Sequence, residues 1–472
     1  GDLDGDGKLD VVFATGFVLR PDKQEPHIPQ IQMNRSSGIG NFKFEDEAAA
    51  RLPKDFAVQA GMVAVFDMNC DGAMDIVFAQ MGGRPARLLW NDGKGKFTEA
   101  DSEHFPNIAM SSPSVEAGDV DNDRDLDLVF GDHDKVTRLF INEGNGKFTD
   151  ATDARMPKIT IPVAQDATFM DIDNDFDLDL VVLGKHKNGQ NLFLNDGKGN
   201  FSDATKSLNY AGSDNNYEAE WADLDNDGDV DAFWVSMDGY TEGASKNLLK
   251  ETGNLAFEHS MKCIEGHNND DDNEITFIDV NNDGLLDVID GSLAFRTEKV
   301  YITSKDFKFT FSDCFGGKRD PSCDGAAGDF DGDGAIDYVS CVGESGTGNK
   351  LYRNTGPKDT VAPKILGVGL PKTISLSSIV GFAVHAFVQD SFYDDGKDAI
   401  NCYIIFQADV PSLKEPQFIK MRGMGGHLFR RDVGVSQYEE LREGMTVEIT
   451  IQAIDASKNE SRSTPVKIKL TK

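Results

Sequence analysis

One acidic pattern of nine residues occurs seven times along the 472-residue chain, and it restricts the possible folds more than any other feature. The first copy reads Asp2-Leu3-Asp4-Gly5-Asp6-Gly7 and closes at Asp10. The others run Asp67–Asp75, Asp119–Asp127, Asp171–Asp179, Asp223–Asp231, Asp279–Asp287 and Asp329–Asp337. Successive copies begin 50 to 65 residues apart. A period of that size is too long for a solenoid coil and matches a unit of four short strands.

The second unit can be read strand by strand. Met62–Phe66 is a short apolar run, and the acidic loop follows it directly. Ile76–Ala79, Arg87–Trp90 and Lys96–Glu99 then supply three more strands, the last behind the turn Asn91-Asp92-Gly93. Leu139–Asn142 with Gly146-Lys147-Phe148, and Leu192–Asn195 with Gly199-Asn200-Phe201, repeat this grammar. Their Asn and Gly residues are expected to supply the positive φ of tight hairpins. The expected fold is all-β: a seven-bladed β-propeller over residues 1–357. Prolines 21, 26 and 29 mark 16–32 as an exposed excursion in the first blade.

Both ends of the repeat region look incomplete. The first blade opens at its acidic loop with no inner strand before it, and the seventh lacks a fourth strand after Lys350–Arg353. One upstream segment, or another chain, is expected to fill both places. The chain also starts without an initiator Met, so residues upstream of Gly1 are expected.

Carboxylates at positions 1, 3, 5 and 9 of a tight loop, with Gly at 6 for the turn, suit a hard divalent cation. Calcium is the expected occupant, because magnesium gives up its water shell reluctantly. The proposed ligands are Asp2, Asp4, Asp6 and Asp10; Asp67, Asn69, Asp71 and Asp75; Asp119, Asp121, Asp123 and Asp127; Asp171, Asp173, Asp175 and Asp179; Asp223, Asp225, Asp227 and Asp231; Asp279, Asn281, Asp283 and Asp287; and Asp329, Asp331, Asp333 and Asp337. Loops one, five and seven, with four aspartates and a glycine at position 6, should bind best. Arg124 and Phe176 replace that glycine in loops three and four, which should bind most weakly.

These loops explain much of the acidity. With 47 basic and 81 acidic residues, the formal charge of −34 disfavours nucleic acid and anionic lipid as partners. No apolar run is long enough for a membrane-spanning helix; the longest candidate, Ile379–Val388, is interrupted by His385. Six cysteines show no zinc-knuckle spacing, although Cys314 and Cys323 are close enough in sequence to staple a loop. Sequons at Asn34, Asn200 and Asn459 would matter in a glycosylating secretory route. Calcium loops of low affinity favour an extracellular or cell-surface location.

The loop Asp329-Phe330-Asp331-Gly332-Asp333-Gly334 with Asp337, its six counterparts, and Leu-x-x-Asn-x-Gly-x-Gly-x-Phe stretches such as Leu88–Phe97 resemble the FG-GAP and VCBS repeat family. These are the propellers of integrin α chains and of many microbial surface proteins. The resemblance covers residues 1–357. It implies that the calcium loops are structural and lie on the face opposite the usual ligand surface.

After Gly356-Pro357 the repeat ends. A linker at 358–363 precedes alternating apolar runs at Ile379–Val388, Ala399–Phe406, Phe418–Met421, Thr446–Ala453 and Val466–Leu470, which suggest an Ig- or fibronectin-like β-sandwich over 364–472. Ile451–Ser461 resembles the final hairpin of bacterial Ig-like modules. Asp390–Asp395 could hold another cation and Asn268–Glu274 could sit on the ligand face, but both read first as solvated acidic loops, and Gly423–His427 as a flexible hairpin.

No HExxH, GxSxG or phosphate-loop arrangement is present, so no enzyme is expected. Three functional classes follow: adhesion or binding of a protein or glycan ligand through the loop face; a self-assembling surface filament subunit; and a polysaccharide-processing enzyme.

Overall fold

The computed structural model describes residues 1–15, 25–133, 136–186, 189–212, 215–236, 242–266, 272–292, 298–315 (backbone only at 313–315), 322–342, 348–378, 381–392 and 400–472. The structure is all-β, with a few one-turn helices such as Ala48–Arg51 and Thr152–Arg155.

Among the described residues, seven small sheets occupy the repeat region, antiparallel apart from one short parallel edge, Ile264–Glu265 on Lys308–Phe315, in the sixth. The second joins Ala60–Phe66, Asp75–Gln80, Arg87–Asn91 and Phe97–Glu99 in sequence order, within two residues of the expected bounds. The acidic loop is the turn between its first two strands. Apolar clusters link the sheets in a cycle. Ile31 and Met33 of the first sheet pack with Ile76 and Phe78 of the second. Phe66 and Val77 of the second meet Leu128 and Phe130 of the third, and Val129, Phe169 and Trp221 join the third, fourth and fifth. Phe233 and Tyr301 join the fifth and sixth, and Ile289 and Tyr338 the sixth and seventh. Phe330 and Val339 of the seventh then reach Val11 and Phe13 of the first. Sheets packed face to face around an axis form a propeller.

The first and seventh sheets each hold three strands among the described residues. They are Val11–Phe13, Gln30–Asn34 and Phe44–Asp46 in one, and Ser322–Gly328, Asp337–Val342 and Lys350–Tyr352 in the other. This agrees with the expected shortfall in both. A strand already begins at Gln30, inside the region read as an excursion, while 16–24 lie outside the described residues.

Residues 364–472 form two packed sheets. One has the order Lys364–Gly369, Phe382–Gln389, Leu428–Val433, Arg422–Gly423. The other places Thr373–Ser375 parallel to Val466–Thr471, followed by Thr446–Asp455, Ile400–Ala408 and Gln417–Lys420. Val384, Ala386 and Val388 meet Ile404, Phe406, Ile449 and Ile451 between them. Alternation exposed the long strands to sequence reading. The short Thr373–Ser375 and the charged Leu428–Val433 were not legible that way.

Sequence alone could not place this sandwich, which sits across the acidic-loop face of the propeller. Gln389 exchanges two hydrogen bonds with the Asp223 backbone, at 2.8 and 2.9 Å. Asp119 N–H donates to the Met424 carbonyl and Asp279 N–H to that of Ser391. Phe387, Met424 and Leu428 join the apolar cluster of the middle sheets. The glycine hairpin is therefore a docking element and not a loose loop. A Cβ on Gly425 would lie 2.6 Å from the Ala117 carbonyl oxygen, and one on Gly426 2.7 Å from that of Phe169. The stretch at 358–363 is also tied down: Asp359 N–H donates to the Gly334 carbonyl, and Thr360 and Asn282 exchange hydrogen bonds.

Candidate metal centres

Each loop is folded by its own aspartates. The first accepts backbone N–H groups from positions 5 and 6, as Asp119 does from Asp123 and Arg124 at 3.0 and 2.9 Å, and Asp171 from Asp175 and Phe176 at 3.0 Å each. The ninth accepts one N–H from position 2 of its loop and another from the third strand. Asp127 takes Val120 and Asn142 at 3.0 and 2.8 Å, and Asp10 takes Leu3 and Asn34 at 2.9 and 2.7 Å. Asp75, Asp179, Asp231, Asp287 and Asp337 repeat this clamp. Ordering these backbone amides draws the remaining carboxylates inward.

Carboxylate oxygens converge within 4.8 Å of one another at positions 1, 3 and 5 in the loops of Asp2 and Asp329. They converge at positions 1, 3 and 9 in those of Asp119, Asp171 and Asp223. In the second loop, Asn69 donates its amide to Asp71 and its oxygen accepts the Asp71 N–H, which leaves that oxygen a second lone pair for a cation. Asp279 and Asp287 of the sixth loop are buried and clamped like their counterparts, with Asp283 N–H bonded to Asp279 and Asn281 at position 3.

Position 6 follows one geometry throughout. Gly7, Gly228 and Gly334 have φ of 83°, 89° and 88°, while Arg124 and Phe176 adopt 87° and 71°. Loops three and four therefore make the same turn as the others and tolerate its strain, at a steric cost of about 1 to 2 kcal/mol for an L side chain. Phe176 recovers this by packing on Gly367 and Gly369 and stacking on His385, with ring centroids 6.1 Å apart. Its identity reflects the sandwich above it.

The loops are electrostatically loaded. Burial, opposed by the clamping amides, raises Asp75 to about 7. Asp119 rises to about 7 by burial and the charge of Asp123, and Asp171 to about 8 by burial and Asp175. Asp287 is also near 8, and Asp127, Asp179 and Asp231 stand well above the carboxylate range for the same reason. Some loops carry basic neighbours: Arg35 and Arg51 on Asp4, Lys246 on Asp225 and Asp227, and Arg353 on Asp331 and Asp333. Among the described residues no basic side chain pairs with Asp171, Asp173, Asp175 or Asp179. Clustered, amide-fixed carboxylates of this kind match the oxygen ligands a calcium ion takes.

Sequence reading missed two sets of residues that hold the loops in place. Position 4 of one loop bonds position 7 of the next: Cys70 to Asp125 at 3.0 Å, Asn122 to Asp177 at 2.6 Å, Asn174 to Asp229 at 2.7 Å. The third-strand asparagines hold the hairpin turns as expected, Asn91 Oδ1 accepting the Gly93 and Gly95 N–H groups and Asn195 Oδ1 those of Gly197 and Gly199, and their side-chain amides also cross between sheets. Asn91 donates to the Leu3 carbonyl, Asn142 to Met68, Asn195 to Val120 and Asn247 to Ile172, at 2.7 to 3.0 Å. The positive φ values fall on glycines such as Gly93 and Gly95. Asn34, one of the three sequons, belongs to this set; it is fully buried and unavailable for glycosylation in the fold.

A second acidic group surrounds the central cavity of about 330 Å³, which Val12, Met62, Glu116, Glu218, Glu220 and Asp324 help to line. Asp166, Glu218, Glu274 and Asp324 occupy equivalent places on four inner strands, each just after a bulge. Enclosure by the sheets lifts Asp166 and Asp324 to about 6 and holds Glu218 and Glu274 well above their usual range. The signal was present in the sequence as an acid five residues before the first loop aspartate. Of the Asn268–Glu274 run, 268–271 lie outside the described residues, whereas Asp272 and Glu274 are buried. Cys70, Cys263, Cys341 and Cys402 are free thiols; the Cys314 side chain, and so its pairing with Cys323, lies outside the described residues. No helix among the described residues is long and apolar enough to cross a membrane.

No curated protein matches the chain. Among solved structures, a lectin of Agrocybe aegerita that recognises non-reducing terminal N-acetylglucosamine is 16% identical, with 66% of this chain and 78% of that one covered at a TM-score of 0.43. BBS1N in complex with ARL6DN is 10% identical, with 75% and 92% covered at 0.45. The FG-GAP-like repeat model matches residues 2–78, 67–130, 119–182 and 171–234. Residues 2–234 thus carry FG-GAP-like repeats, and the five acidic loops from Asp2 to Asp231 fall within them.

Proposed function

We propose that this is a calcium-loaded, seven-bladed propeller carrying an Ig-like domain, and that it binds a protein or glycan ligand at the extracellular surface without acting as an enzyme. The observation that carries the reading is the docking of the sandwich across the acidic loops. Ions held there would serve structure, and the opposite ends of the blades are left for recognition. The carboxylates of the central cavity stand near the starts of the inner strands, away from the acidic loops, and favour cationic or cation-bridged ligands. The Ig-like reading rests on strand order: the first, third, seventh and sixth strands of 364–472 form one sheet, and the other sets a short strand parallel to the last.

The test is retention of the full chain on glycan and matrix-protein arrays, in calcium and in chelator. Calcium-dependent retention is expected, weakened by the double substitution Glu218→Gln, Asp324→Asn at unchanged calcium content. Retention equal in chelator, or none on either array, overturns the reading.

A further inference from the structure

Where the sandwich meets the sixth and seventh sheets, three aspartates from three separate segments come together. Asp359 lies between the domains, Asp390 ends the strand Phe382–Gln389, and Asp455 ends the strand Thr446–Asp455. Two neighbours tie them. Ser391 Oγ donates to Asp359 Oδ1 at 2.9 Å. Asn459 donates to both Asp455 oxygens at 2.7 Å and to the Asp359 carbonyl at 3.2 Å.

Asp390 has no such support. It is 6% exposed, and no side chain donates to either carboxylate oxygen, the adjacent Ser391 amide being its one polar neighbour. Burial, followed by the charges of Asp455 and Asp359, raises it to about 8. The nearest cation, Lys364, directs its Nζ to Asn226 Oδ1 at 2.5 Å and to the Gly284 carbonyl instead. A cavity of about 10 Å³, lined by Gln389, Asp390, Ser391, Asp279, Gly284 and Lys364 but not by Asp359 or Asp455, adjoins the Asp390 carboxylate. That is space for one water-sized sphere.

We propose that Asp359, Asp390 and Asp455 form an eighth divalent-cation site, separate from the seven loops, which fastens the sandwich and its linker to the propeller. Three carboxylates in a shielded corner repel one another, and a buried carboxylate with neither a side-chain partner nor a proton is costly. A hard cation of calcium type removes both penalties with oxygen ligands alone. Because the three residues belong to three segments, the ion holds the junction in its docked arrangement. The site does not depend on how many repeat loops are loaded.

The test counts calcium bound to the full chain by native mass spectrometry, with calcium alone as the probe. Asp390→Asn and Asp359→Asn should each bind one ion fewer than the parent. Cleavage in the 358–363 stretch by a protease should accelerate about ten-fold, the factor that 1.4 kcal/mol represents. Asp173→Asn should also lose one ion, from the fourth loop, without exposing the linker. Should Asp390→Asn not fold, Asp359→Asn carries the test, since its side chain is only half-buried. Both variants keeping the parent ion count would mean that a proton or a water satisfies Asp390, and would overturn the site. Loss of this ion with the repeat loops empty would instead uphold the site and count against the calcium-loaded propeller.

Discussion

Asn34 in the first sheet donates its side-chain amide to the Phe330 carbonyl in the seventh at 2.8 Å, across 296 residues of sequence. Asn91 makes the same contact with Leu3 one sheet earlier. The ring thus closes by repeating its ordinary joint, with the same amide also reaching the Leu9 carbonyl. Asn34→Ala leaves two buried carbonyls without this donor and should destabilise the propeller by about 1–3 kcal/mol. Thermal melts against exposed Asn200→Ala as control will check it; equal melts would deny the closure contact its role.

Chelation should lower the melting temperature, and pH should decide by how much. The loop aspartates are raised from about 3.8 in the unfolded chain to about 7 for Asp75 and Asp119 and about 8 for Asp171 and Asp287. Between these limits the folded, ion-free chain holds more protons than the unfolded one. Its stability therefore falls as pH rises from about 4 to 8. Bound calcium replaces those protons, so the loaded chain should not show that decline. Melts from pH 5 to 8 with calcium and with chelator test this, and parallel slopes would contradict it.

Arg124→Gly and Phe176→Gly separate turn strain from packing. Both relieve a left-handed L residue, worth about 1 kcal/mol. Arg124 gives up a surface ion pair to Asp432 at 3.6 Å and an exposed hydrogen bond to the Asp123 carbonyl, so its replacement should be neutral to stabilising. Phe176 gives up a ring packed on Gly367, Gly369 and His385, and its replacement should cost roughly 1 kcal/mol net. Equal shifts in denaturant midpoint would mean that the ring contributes nothing to docking.

Gly425→Ala and Gly426→Ala drive a methyl group into the Ala117 and Phe169 backbone oxygens of the propeller. Each should destabilise the docked state by about 1–3 kcal/mol. Small-angle scattering should show the sandwich released in these variants while the propeller melt persists. An unchanged scattering profile would place the docking energy elsewhere.

The repeat, its period and the acidic ligand positions were legible from sequence because they are local. An inner strand, the loop after it and the glycine or asparagine of its turns lie within a few dozen residues and must satisfy backbone geometry in place. The second sheet's strands could be bounded within two residues on that basis. The family resemblance followed from the same loops. Three features were decided only by tertiary structure. Asn91 and its equivalents act across sheets, so their partners lie in the preceding repeat. Phe176 breaks the loop pattern because of a sandwich strand some 190 residues later. Asp390, read as part of a solvated run, is buried beside Asp359 and Asp455 by the docking of one domain on another. Local patterning records what a segment needs for its own turns and faces, whereas burial between distant segments depends on which surfaces meet, and only the folded arrangement specifies that.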